Sequence, residues 1–119
     1  MMLLQLKFRA LTFAFAVLCA SSSVMAQRVG MVNGAGLVGC GEFLEDRKSD
    51  RFKQYYTQWV QGYLSAYNLF SSHPQIARIP DEATIDAYLQ KHCRDNPLAS
   101  VINATAFLIG DLGGFKPIK

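Results

Sequence analysis

Between Arg51 and Phe70 the chain reads RFKQYYTQWVQGYLSAYNLF, and its large apolar residues return every three or four positions. Phe52, Tyr56, Trp59, Tyr63, Tyr67 and Phe70, with Val60 and Leu64 filling the same side, lay one broad aromatic stripe along a helix. A stripe this rich has to be covered. Nothing before Cys40 looks able to cover it, whereas the amphipathic segments around Leu89 and Leu108 are suited to it. The expectation is a small helical domain wrapped on this one helix.

The 119 residues leave room for a single domain. Its first stretch has the form of a secretory signal: Lys7 and Arg9 are basic, Ala10 to Ala20 is apolar, and Val24-Met25-Ala26 ends in a small residue. Cleavage is expected after Ala26. The apolar run is too short for a membrane anchor, which must cross roughly 30 Å of hydrocarbon. The residues before Cys19 lack the small neighbour of a lipoprotein site. Removing positions 1–26 leaves 93 residues with ten basic and nine acidic side chains. A nearly neutral chain without a concentrated basic face is not a nucleic-acid binder. The run Arg47, Lys48, Arg51 and Lys53 is interleaved with Glu45, Asp46 and Asp50, and reads as a solvated mixed-charge loop and helix start.

Two cysteines remain after export, Cys40 and Cys93, 53 positions apart. In an oxidising compartment an isolated pair in a small domain reads as a disulfide. Closing a loop of that length stabilises by roughly 4 kcal/mol.

The rest of the pattern is helical. Positions 27–36 hold glycines and no period, and read as a flexible lead-in to a domain over 37–114, with 115–119 as a tail. Leu37 and Val38 open a turn. Cys40 to Arg47 makes two helical turns with Phe43 and Leu44 facing inward, and Asp50 is the expected N-cap of the long helix. Gly62 costs that helix about 1 kcal/mol against alanine, so it is expected where a neighbouring backbone comes close. Ser71 to Pro80 is a connection, and Asp81 opens a helix with Ile85, Tyr88, Leu89 and His92 on one face and Cys93 beside it. Asn96 and Pro97 then read as N-cap and first position of a last helix, with Leu98, Val101, Ile102, Thr105, Leu108, Ile109 and Leu112 inward. Gly113-Gly114 ends it. The fold class is all-α: a disulfide-tied bundle of about four helices.

No constellation carries chemistry. His92 and Cys93 are adjacent and do not face each other on a helix, and a bridged cysteine is no nucleophile. Cys40, His73, His92 and Cys93 lack the close pairs of a zinc motif, and no CxxCH marks a haem. Glu82 and Asp86 lie at a helix start, where acidic residues favour the dipole. Asn103-Ala104-Thr105 is a formal glycosylation sequon within a helix. Neither an enzyme, nor a cofactor, nor a metal is expected. The aromatic stripe is first of all core; as a partner surface its contact residues would be Tyr56, Trp59, Tyr63 and Tyr67.

GCGEFL at the first cysteine, WVQGYLSAYN in the long helix and IDAYLQKHCRDNPLASV at the second resemble the HdeA/HdeB-like superfamily of small periplasmic proteins, over roughly Leu37 to Leu112. The marks are Cys40 with Phe43-Leu44, Trp59-x-x-Gly62-Tyr63, and Cys93-x-x-Asn96-Pro97. The resemblance implies a Cys40–Cys93 bridge joining two helical halves. It also implies a periplasmic acid-stress chaperone, dimeric at neutral pH, that loosens in acid to bind unfolded clients. The many tyrosines of the long helix stand closer to an uncharacterised branch of that superfamily. Leu37 to Leu44, Gly62-Tyr63, and Tyr88-Leu89 followed by Asn96-Pro97 are also similar to the Rap/Tai immunity proteins of type VI secretion. Those block a peptidoglycan amidase effector in the periplasm. That family has a cysteine where this chain has Val60.

Overall fold

The computed structural model describes residues 31–118. The expected signal peptide, its cleavage after Ala26 and the first part of the lead-in lie outside them. The described chain forms a short 3-10 turn (Gly34–Leu37) and four helices: α1 (Cys40–Asp46), α2 (Asp50–Phe70), α3 (Glu82–Asp95) and α4 (Val101–Asp111). No strand occurs among the described residues; one isolated antiparallel bridge joins Gly39 to Ser100. The disulfide-tied four-helix bundle expected from the sequence is the fold observed, and none of the described helices is long and apolar enough to cross a membrane.

The long aromatic helix α2 is the largest element, but α3 is the one that packs extensively on all three others. Ile85, Leu89 and Cys93 of α3 are fully buried, and meet Phe43 of α1, Tyr56, Val60 and Leu64 of α2, and Val101, Ala104, Leu108 and Ile109 of α4 in one core. Asp81 caps α3 by accepting from the Thr84 amide at 2.8 Å, as its sequence position suggested.

Several expectations shift. Ser49, not Asp50, occupies the cap position of α2, and its side chain makes no capping bond. Asn96 does not start the last helix; it ends α3, its amide nitrogen and its side-chain nitrogen both donating to the His92 carbonyl. The last helix therefore starts later, at Val101, and Leu98, expected inward, is fully exposed. The reason is the disulfide end of the bundle. Residues 97–100 leave α3 in a turn and run beside Val38–Cys40, with the Cys40 amide donating to the Ala99 carbonyl and Val101 to Val38. A helix starting at Pro97 would forgo those bonds. The Cys40–Cys93 disulfide, with Cα atoms 4.9 Å apart, closes the same corner.

Gly62 is exposed, and a methyl group there would meet nothing within 4 Å. The close approach expected at Gly62 occurs at Gly36 instead, where an added methyl would overlap the Trp59 ring. The end of α4 is as expected: Gly113, at φ +93°, donates to Gly110 and Gly114 donates to Ile109, the paired bonds of a Schellman motif. The tail then folds back, with the Phe115 amide donating to the Tyr67 hydroxyl at 2.8 Å.

Candidate functional site

The aromatic residues of α2 separate into two lines about a quarter of a turn apart. At roughly 100° per residue, Tyr56, Val60 and Leu64 form the buried line, and Thr57, whose hydroxyl back-bonds to the Lys53 and Gln54 carbonyls, lies with them. Phe52, Tyr55, Trp59, Tyr63 and Phe70 form the other. Of these, Phe52 and Tyr55 are 47 % exposed, Tyr63 37 % and Phe70 86 %. The single broad stripe expected to be covered is thus half covered: α3 lies against one side of α2, while on the other side the Gly34–Leu37 turn reaches Trp59 and leaves Phe52, Tyr55, Tyr63 and Phe70 partly or largely in solvent.

Trp59 is the member of the second line that is partly covered. Its indole nitrogen donates to the Asn33 carbonyl at 3.0 Å, its ring packs on the Gly34–Leu37 turn, and it stacks on Tyr63 with centroids 5.3 Å apart. The segment before Cys40 therefore does cover part of the helix. Its signal was there in the glycines: two small residues, Gly34 and Gly36, let backbone approach an indole. Of the four candidate contact residues, Tyr56 is closed inside the core, while Trp59, Tyr63 and Tyr67 keep part of their surface in solvent. The Tyr67 hydroxyl donates to the Pro74 carbonyl and holds the loop against the helix end.

Polar side chains tie the helices together, and three of the four ties end on an aspartate. Arg47 clasps Asp86 with both prongs, Nε to Oδ1 at 2.8 Å and Nη2 to Oδ2 at 2.6 Å. The Tyr56 hydroxyl donates to Asp46 at 2.7 Å and the Tyr88 hydroxyl to Asp111 at 2.6 Å. The fourth tie is His92 Nε2 within 3.1 Å of Asn103 Oδ1. Burial by itself would push the Asp86 carboxyl up; the Arg47 hydrogen bonds and charge, helped by Gln90, outweigh that and hold it below the usual carboxylate range. Burial, followed by the aspartate bond, pushes both the Tyr56 and Tyr88 hydroxyls well up.

Arg47 corrects the solvated mixed-charge reading of its run, and Asp86 that of a dipole-favouring helix-start residue. Asp86 lies three and seven positions before Leu89 and Cys93, on their face of α3, and that spacing was the available signal. Lys48 and Lys53 do behave as read, pairing with Glu45 and Asp50 at the surface. Among the described residues no group of three His, Cys, Asp or Glu is placed to hold a metal. Asn103 of the sequon is exposed on α4, with Thr105 buried and bonded to the Val101 carbonyl.

With this geometry in place, comparison with protein-family models, characterised proteins and solved structures yields no match to any of them. The class of protein is therefore defined by the fold itself: a small all-α, disulfide-tied bundle with an open aromatic flank.

Proposed function

We propose that this chain is a non-enzymatic, exported interaction protein, and specifically an HdeA-like acid-stress chaperone that holds unfolded clients in the periplasm. The observation that supports this reading is the dependence of the inter-helix ties on Asp46, Asp86 and Asp111 beside an acid-insensitive disulfide. As pH falls below the ~3.9 and ~4.3 reference values of Asp and Glu the carboxylates are neutralised, Asp86 at a lower pH still because Arg47 holds its pKa down, and Arg47 then loses its partner. Neutralising the nine carboxylates of residues 27–119 leaves their ten Lys and Arg charges unbalanced, and self-repulsion opposes the compact state. The Cys40–Cys93 bridge limits the opening to a loosened bundle. That form adds the buried line Tyr56, Val60 and Leu64 to the aromatic surface already in solvent.

The test acidifies the purified protein with an aggregating client and follows light scattering and an apolar dye. Suppressed scattering and a new dye site are expected. Unchanged scattering at a stoichiometric excess, with no dye site, rejects the chaperone. Export is tested separately: periplasmic extract should yield a chain beginning at Gln27, and intact Met1 in a membrane fraction would reject it.

A second reading rests on the flank that is open in the folded state. Phe52, Tyr55, Trp59 and Tyr63 present aromatic surface without any loosening, which suits a preformed neutral-pH interface such as a Rap/Tai-type immunity protein makes with its amidase effector. Tight one-to-one binding of one such effector at pH 7, lost in Tyr63→Ala, would favour it over the holdase.

A further inference from the structure

Away from the aromatic flank, α3 and α4 border a cleft of about 580 Å³ lined by Tyr88, His92, Asn103, Phe107 and Asp111, with Ile118 from the tail. That volume takes a small organic molecule. The chemistry of its walls is not symmetric. Asp111 accepts the Tyr88 hydroxyl on Oδ2, while its Oδ1 accepts no hydrogen bond and no Lys or Arg pairs with it among the described residues. Asp111 is also the last residue of α4, so the carbonyl end of the helix dipole adds to its negative potential.

Of the two lysines near the cleft among the described residues, Lys91 is paired and Lys116 is not. Lys91, on the adjoining rim, is held by Asp95 at 2.6 Å. Lys116 borders a smaller cavity beside Asp111, where its side chain packs on Gly110. The Phe107 ring lies against the His92 imidazole, centroids 5.2 Å apart, and with Tyr88 gives the cleft aromatic walls next to the open carboxylate oxygen. A carboxylate beside aromatic faces attracts a cation both by charge and through the ring quadrupole.

We propose that this cleft binds a small organic monocation, with an ammonium group on Asp111 Oδ1 and its apolar body against Phe107, Tyr88 and Ile118. A neutral molecule of the same shape keeps the apolar contacts and loses the charge; an anion meets Asp111 directly.

The test titrates the intact chain with phenethylammonium, 2-phenylethanol and 3-phenylpropionate, following ¹H–¹⁵N shifts of the cleft, including the Asn103 side-chain amide. The ammonium should shift cleft resonances with an affinity at least about tenfold above the alcohol, a ratio charge-assisted bonding supplies, and the anion should produce no shift there. Asp111→Asn retains an oxygen for the Tyr88 hydroxyl and should lose that preference. Phe107→Leu should weaken the ammonium severalfold, and Lys116→Ala should leave it equal or tighter. Equal binding of alcohol and ammonium, tighter binding of the anion, no cleft shift with the ammonium, or an unchanged Asp111→Asn would each overturn the proposal. Should Asp111→Asn not fold, the ammonium-to-alcohol ratio on the unaltered chain decides.

Discussion

Arg47 and Asp86, 39 residues apart, meet as a two-pronged pair that fastens the end of α1 to the second turn of α3. Their side chains keep only 19 % and 10 % of their surface in solvent, so neither charge is left to water when the other is removed. Asp86→Leu or Arg47→Met alone should destabilise by about 3 kcal/mol, the cost of an uncompensated buried charge. The double variant should recover most of that loss. Thermal melts at pH 7 check the cycle, and additive losses would show that the pair is not coupled.

The same pair sets a pH dependence. The folded pKa of Asp86 is depressed, so its contribution is fully present above the unfolded value near ~3.9 and is lost as pH falls through the lower folded value. Acid unfolding of Asp86→Asn should therefore be shallower in pH than that of the unaltered chain. Trp59, the one tryptophan, reports the transition: its fluorescence should move to the red as its packing on the Gly34–Leu37 turn opens.

Two glycines should respond in opposite directions. Gly62→Ala gains about 1 kcal/mol of helix propensity, since its position is open. Gly36→Ala forces Trp59 off the turn and should lower the melting temperature, with faster amide exchange confined at first to the residues around Gly34–Leu37.

Removing the disulfide should cost roughly 4 kcal/mol, a large share of the about 5–15 kcal/mol available to a domain. Cys40→Ser should melt far below the unaltered chain, and non-reducing mass analysis of the latter should find no free thiol at Cys40 or Cys93. The backbone bonds from Cys40 to Ala99 and from Val101 to Val38 sit at the same corner, so amide exchange there should rise most in Cys40→Ser.

Local pattern was enough for much of this. The spacing of Tyr56, Val60 and Leu64 marks a helix, Asp81 marks a start and Gly113-Gly114 a stop, because periodicity and capping are carried by neighbours within a few residues. With Cys19 set aside in the expected signal peptide, the cysteine count pairs Cys40 with Cys93. What pattern could not decide is which part of a wide apolar stripe a neighbour covers. Only the packing of α3 on α2 buries Tyr56 and Thr57 while leaving Tyr55 and Tyr63 in solvent. The same holds for the polar residues. Arg47 became a half-buried partner and Asn96 a helix end because chain segments distant in sequence supply the carboxylate of Asp86 and the backbone bonds of Val38 and Cys40. The cleft at Asp111 has that origin too, since a side chain's unpaired oxygen is defined by everything the fold brings near it.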